Sequence, residues 1–189
     1  MRIITGSAKG KALLTLEGED TTRPTGAKVK EAVFSAVQFD TEGRRFLDLF
    51  AGSGQMGLEA LSRGAAAATF IDASPEAMAV VKANAERTGL SDKCRFSVSD
   101  FRNFLRKAKG KEPPYDLVFI DPPYALRWCE EALRRTTEAG LAKAGTLFIL
   151  ESEEENVLTE TTVRQEGLTL LKEKKYGRTY VHIYRKETP

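Results

Sequence analysis

From residue 44 to residue 152 the chain alternates short apolar runs with longer amphipathic stretches. RRFLDLF is followed by GQMGLEALSRG, AAATFID by SPEAMAVVKANAERTG, CRFSVSD by DFRNFLRKAKG, YDLVFID by LRWCEEALRRTTEAG, and the series ends on GTLFILES. The apolar runs have the length of strands, and the stretches between them repeat apolar residues at helical spacing. Strands joined by helical crossovers give a parallel sheet with helices on both faces. After about residue 155 the rhythm changes: GLTLLKEKKYG and RTYVHIYRK read as adjacent strands, an antiparallel hairpin that closes the sheet edge. The expected fold is α/β, with a mostly parallel seven-stranded sheet.

Ahead of this repeat, RIIT and KALLTL flank GSAKG, the pattern of a β-hairpin with a basic turn. In TTRPTGAKVKEAVFSAV, Val29, Ala32, Val33, Ala36 and Val37 recur at helical spacing behind Pro24 and Thr25, which predicts a helix over about 26–38. The organisation is therefore a small hairpin-plus-helix extension, 1–40, and a main domain, 41–189. Within residues 1–30, Arg2, Lys9, Lys11, Arg23, Lys28 and Lys30 face only Glu17, Glu19 and Asp20, so the ends of that segment are basic although the whole chain carries only +2. Two cysteines, Cys94 and Cys129, and one histidine give neither a disulfide framework nor a metal site. No apolar stretch approaches the roughly 20 residues needed to cross a membrane, and residues 1–16 lack the apolar segment of a secretion signal, so a cytoplasmic address is expected.

In an open sheet of this kind ligands bind beyond the carboxyl ends of the strands, where strand order reverses. Four successive apolar runs end in an acid: Asp48, Asp72, Asp100 and Asp121. Asp48 opens the loop DLFAGSGQMG, whose glycines Gly52, Gly54 and Gly57 let backbone approach a ligand and leave free amides at a helix start. A dinucleotide fingerprint would set a pyrophosphate there, but a leading carboxylate repels phosphate and suits a cationic group instead. Asp72 lies 24 residues further on, near the spacing at which a carboxylate takes ribose hydroxyls, and it also suits a helix entry with Ser74 and Pro75. Asp100 equally suits a helix cap or the exocyclic amine of an adenine.

The run VFIDPPY carries the reactive chemistry. Pro122 and Pro123 fix two φ angles and remove two amide donors, leaving the Asp121 carboxylate and nearby carbonyls as an acceptor-only corner. Such a corner suits a donor: it accepts both hydrogens of an aromatic amine and frees the nitrogen lone pair for attack. Tyr124 adds a face on which a base can stack.

DLFAGSG, an acidic strand end and DPPY together resemble class I S-adenosylmethionine-dependent methyltransferases that act on exocyclic amines. RIITGSAKGKAL, TTRPTGAKVKEAVFSAV, LDLFAGSGQMGLEALSRGA, DLVFIDPPY and KKYGRTYVHIYRK narrow the resemblance to the RsmD family of bacterial 16S ribosomal RNA guanine-N2 methyltransferases, over nearly the whole chain. The resemblance implies a Rossmann-like fold and S-adenosylmethionine as cofactor. It implies that Asp48, Ala51, Gly52 and Gly54 line the methionine part, Asp72 the ribose, and Ser99 and Asp100 the adenine. Asp121, Pro122 and Tyr124 would hold the target guanine. Arg23, Thr25, Lys28, Lys9 and Lys11 would grip RNA, either free 16S RNA or an assembling small subunit, with the protein acting as a monomer. Asp72 departs from the glutamate that many relatives carry. Rival readings are methylation of adenine N6 or another amine, and a catalytically silent RNA-binding module. His182, in VHIY, reads as a packed or solvent-facing side chain, Trp128 as part of the core or cleft wall, and Arg178 as a solvated hairpin tip.

Overall fold

The computed structural model describes residues 1–16, 24–123 and 128–188, with 24 and 25 described in backbone only. After helix α1 (Pro24–Ala36), the chain runs β1 (Arg45–Asp48), α2 (Gln55–Ser62), β2 (Ala67–Asp72), α3 (Pro75–Thr88), β3 (Cys94–Val98), α4 (Phe101–Ala108), β4 (Tyr115–Ile120), α5 (Cys129–Glu138), β5 (Ala142–Ser152), α6 (Glu160–Gln165), β6 (Leu168–Tyr176) and β7 (Thr179–Lys186). The boundaries have local causes. Helix α3 starts where Ser74 Oγ accepts the Ala77 amide, takes Pro75 in its first turn, and stops at Gly89 with φ 73°, a conformation that glycine adopts without strain.

Among the described residues the sheet has seven strands in the order β3-β2-β1-β4-β5-β7-β6. The first five pair in parallel and β7 runs antiparallel to both β5 and β6, so the expected C-terminal hairpin forms the sheet edge. One face is covered by α1, α2 and α3 through Val33, Leu58 and Val81, the other by α4 and α5 through Leu105 and Leu133. The sequence rhythm therefore reports a Rossmann-like architecture correctly. It misses α6, whose residues ETTVRQ are too polar to show an apolar stripe and whose start rests on Thr159 Oγ1 accepting the Thr162 amide. It also starts β5 three residues late.

The N-terminal hairpin pairs Arg2 with Ala12, is held by the backbone bonds Leu13 N–H to Met1 O, Ile3 N–H to Lys11 O and Gly10 N–H to Ile3 O, and is docked on the domain rather than standing off it. Ile3 and Leu13 join the core beneath α2. The Glu59 carboxylate, fully buried on α2, accepts the amides of Ile4 (2.8 Å) and Thr5 (3.0 Å), Arg63 Nε (2.8 Å) and, at 3.3 Å, Lys30 Nζ from α1. Lys30 also donates to the Arg2 carbonyl at 2.7 Å. Gly6, at φ 89°, passes so close to α2 that a Cβ would stand 1.7 Å from the Ser62 carbonyl oxygen. No helix among the described residues is long and apolar enough to cross a membrane.

Candidate active site

Strand order reverses between β1 and β4. From β1 the chain builds outward through β2 to β3, then returns by α4 to lay β4 on the other side of β1. In register, Asp48 pairs with Phe70 on one side and Phe119 on the other. Asp72 and Asp121 thus each project two residues beyond the end of β1, on either side of it. Three of the four predicted strand-end acids surround one crevice, and Asp100 follows one strand further out, after β3.

The loop after Asp48 is shaped by backbone conformation. Gly52 (φ 52°) and Gly54 (φ 76°) are both left-handed, and a Cβ on Gly54 would stand 2.8 Å from Val81 Cγ1 of α3. Ala51 donates to the Ile71 carbonyl at 2.9 Å and Gly54 to the Ala51 carbonyl at 2.7 Å, so the loop folds back over the end of β2. Asp72 holds it there: one carboxylate oxygen accepts the Gly52 amide and the other the Ser74 amide, each at 2.9 Å. The helix-entry role of Asp72 is therefore realised, with Ser74 as the cap and Asp72 supporting it. A carboxylate oxygen has capacity for a second donor, so these bonds are compatible with ribose hydroxyls.

Asp48 is strongly perturbed by the fold. It is buried, and among the described residues its Oδ1 has no hydrogen-bond partner. Burial pushes the carboxyl up to about 7; the Gly57 and Phe50 amides pull it down and the Asp72 carboxylate adds to the rise. A buried carboxylate with an unpartnered oxygen beside a left-handed glycine loop has the chemistry to accept a cationic donor.

Asp100 caps α4, its Oδ1 accepting the Arg102 amide at 2.9 Å, and Ser99 is tied to the Asp72 carbonyl at 2.8 Å. Asp121 is half-buried, Pro122 buried and Pro123 exposed at the end of β4. Tyr124 and Arg23 lie outside the described residues, as does the side chain of Thr25. Lys9 and Lys28 are exposed, whereas Lys11 reaches the carboxyl end of α3 and donates to the Thr88 carbonyl at 2.9 Å, where a cation also meets the negative end of the helix dipole.

Two features of the crevice escape sequence reasoning. Asn84 is fully buried on α3; its amide nitrogen donates to the Ser53 carbonyl (2.9 Å) and the Leu14 carbonyl (3.0 Å), and its oxygen accepts the Leu14 amide (2.7 Å). It fastens the glycine loop to the end of the hairpin. Its signal was available, since Ala77, Val81, Asn84, Ala85 and Thr88 share one helical face, and a polar residue among small apolar ones marks a buried amide with assigned partners. The second is an aromatic cluster. Phe50 of the glycine loop, Phe101 after β3 and Trp128 after the proline turn meet with ring centroids 5.1–6.3 Å apart. The Arg102 guanidinium lies 4.4 Å from the Phe101 ring and 4.6 Å from Trp128, held by Glu131 at 2.7 Å. Trp128 thus packs on the β1 glycine loop and the start of α4, and the cluster ties together the segments after β1, β3 and β4.

His182 is fully buried in the sheet edge, its Nε2 2.8 Å from the Glu155 carbonyl and 3.2 Å from Glu173, with its ring between Tyr180 and Tyr184. Burial pushes the thiols of Cys94 and Cys129 up to about 12, so both are inert as nucleophiles at neutral pH. Among the described residues no group of three or more potential ligands is placed to hold a metal ion.

A family model described as Conserved hypothetical protein 95 matches residues 1–185. Ribosomal RNA small subunit methyltransferase D of Haemophilus influenzae is 33% identical over 184 residues, covering 97% of this chain and 93% of its own length. The protein of the same name from Escherichia coli K12 is 32% identical over 187 residues, covering 99% and 90%. The solved structure of yhhF from Escherichia coli superposes with a TM-score of 0.84 at 31% identity, spanning 100% of this chain and 99% of that one.

Proposed function

The chain belongs to the RsmD family, described as Conserved hypothetical protein 95, and from that premise we propose that it is a ribosomal RNA methyltransferase. In this reading it moves a methyl group from S-adenosylmethionine to the exocyclic N2 amine of a guanine in 16S ribosomal RNA, acting as a cytoplasmic monomer on free RNA or an assembling small subunit. One observation carries it: β1 and β4 are neighbours at the reversal of strand order, which sets the Asp48–Gly54 loop beside the Asp121-Pro122-Pro123 turn. A cation receptor and an amine receptor then share one crevice.

The residues present fit the cofactor. The orphaned Asp48 oxygen suits the ammonium of its methionine part, with Ala51, Gly52 and Gly54 lining the same end of the crevice. In this reading Asp72 takes the ribose, and Ser99 and Asp100 the adenine. When bound, S-adenosylmethionine supplies a methyl group on a sulfonium, so no metal or redox partner enters the scheme. The chain's own residues do the positioning. The Asp121 carboxylate and the Pro122 carbonyl accept the two amine hydrogens, which turns the nitrogen lone pair outward, and Tyr124 stacks on the base. Orientation of this kind supplies most of the rate in a direct transfer. Residues 1–40 form the RNA-facing extension of the catalytic domain 41–189, with Lys9 and Lys28 exposed and Arg23 and Thr25 a few residues before Lys28 in the chain.

The test is transfer of labelled methyl from S-adenosylmethionine to a 16S RNA transcript and to small-subunit particles, followed by digestion to nucleosides. The expected product is N2-methylguanosine. Label in N6-methyladenosine would overturn the guanine assignment, and no label in any RNA would overturn the reading as a whole.

A further inference from the structure

The hairpin β6–β7 is electrostatically two-sided. Residues paired directly across antiparallel strands share a face. Lys172 pairs with Ile183 and Lys174 with Val181, both in the core under α1, so these two lysines emerge on the α1 side of the sheet. On the opposite side Glu173 pairs with His182 and Lys175 with Tyr180. There the charges are spent on one another: Glu173 meets His182 at 3.2 Å, and Lys175 Nζ donates to the Tyr180 hydroxyl at 3.0 Å, near Glu155. At the tip, Arg178 meets Glu153 at 3.4 Å, and on the α1 side Arg185 is taken by Glu187 at 2.9 Å. Lys172 and Lys174 meet no carboxylate among the described residues. The nearest interaction of Lys174 is with the Tyr176 ring, 5.5 Å from its ammonium, which leaves the charge in solvent.

Their place in the fold gives these charges a role. β6 runs in the same direction as β5, so Tyr176 and Lys174 lie at the carboxyl rim that carries Asp48, Asp72 and Asp121. Helix α1 lies against β6 and reaches across to β1, where Phe34 stacks on Phe46 at 6.4 Å. Lys28, exposed on α1, and Lys174 and Lys172, spaced two residues or roughly 7 Å apart along β6, therefore belong to one face. In the extension, Lys30 is buried on Glu59 and Lys11 is engaged at the end of α3.

We infer that Lys172 and Lys174 extend the RNA-binding surface from α1 onto the edge strand β6, and that they contact phosphates of the RNA outside the target nucleotide. The inference rests on the methyltransferase reading above and adds a surface to it. Charge decides the occupant: two ammonium groups that meet no carboxylate among the described residues suit a polyanion, whereas Glu173 and Lys175 on the other side are already engaged. Lysines on an edge strand also discourage strand pairing between molecules; that role requires only charge at the edge and predicts no difference between the two faces.

The test is equilibrium binding of a 16S RNA transcript to the full chain at several salt concentrations, comparing wild type with Lys172→Gln/Lys174→Gln and with Lys175→Gln on the opposite face. Each lost phosphate contact lowers the slope of log affinity against log salt by about one. The double variant is expected to lose about two, and to bind about 25- to 60-fold more weakly at 0.1 M salt, if affinities converge near 1 M. S-adenosylmethionine affinity and melting temperature should not change, and Lys175→Gln should bind as wild type. An unchanged slope in the double variant, or an equal loss in Lys175→Gln, overturns the inference. Wild-type protein that transfers methyl to 16S RNA while the double variant binds normally removes this surface alone; wild-type protein that methylates no RNA removes the reading beneath it.

Discussion

Replacing Asp48 with asparagine separates what the fold tolerates from what the site needs. Burial raises this carboxyl from 3.8 to about 7, and at 1.36 kcal/mol per pKa unit that is a cost of about 4 kcal/mol for keeping it ionised in the unliganded protein. Because the folded value lies above the unfolded one, the stabilising contribution is complete below about pH 3.8, falls as pH rises, and is gone above about 7. Asparagine keeps the shape and the acceptor that meets the Gly57 and Phe50 amides, at the cost of burying an unpaired amide, about 1–3 kcal/mol. In urea unfolding without cofactor, Asp48→Asn should be near or below wild type at pH 4.5 and above it by about 1–3 kcal/mol at pH 8. The same substitution should weaken S-adenosylmethionine binding at pH 8 and flatten its pH dependence, since in wild type the ammonium favours the ionised carboxylate and affinity rises through pH 7. A stability difference that stays constant from pH 4.5 to 8, or cofactor affinity unchanged in the variant, would refute this account of Asp48.

Three further substitutions probe the site and its supports. Asp121→Ala should abolish methyl transfer while leaving S-adenosylmethionine affinity within about twofold, read by single-turnover transfer and calorimetry; near-normal transfer removes Asp121 from the amine corner. Glu59→Gln leaves Lys30 buried without its carboxylate and should cost about 3–5 kcal/mol in urea unfolding. Gly6→Ala sets a Cβ against the Ser62 carbonyl at a left-handed backbone position, and should lower stability by about 1–3 kcal/mol and speed hydrogen exchange of the Ile3 and Ser7 amides.

The sequence disclosed most of the architecture because each β-α unit carries its own signal. Asp48, Asp72 and Asp121 could be placed at strand ends before any coordinates, since an apolar run that stops at an acid is a local pattern. What joins distant segments was not legible. Nothing local in GQMGLEALSRG marks Glu59 as buried; docking of the hairpin and of Lys30 makes it a buried hub with four donors. Lys11 and Lys28 look alike in sequence, and tertiary contact alone separates the one that ends α3 from the one that stays in solvent. The Phe50–Phe101–Trp128 cluster gathers residues from the segments after β1, β3 and β4, whose adjacency follows from strand order, which no periodicity encodes.

The central claim is that the crevice between the Asp48 loop and the Asp121-Pro122-Pro123 turn directs a methyl group to guanine N2 of small-subunit RNA. Mass mapping of modified nucleosides in 16S RNA from cells that lack this protein tests it most directly. One N2-methylguanosine should disappear and return on complementation with the wild-type chain but not with Asp121→Ala; an N2-methylguanosine profile identical with and without the protein contradicts the claim.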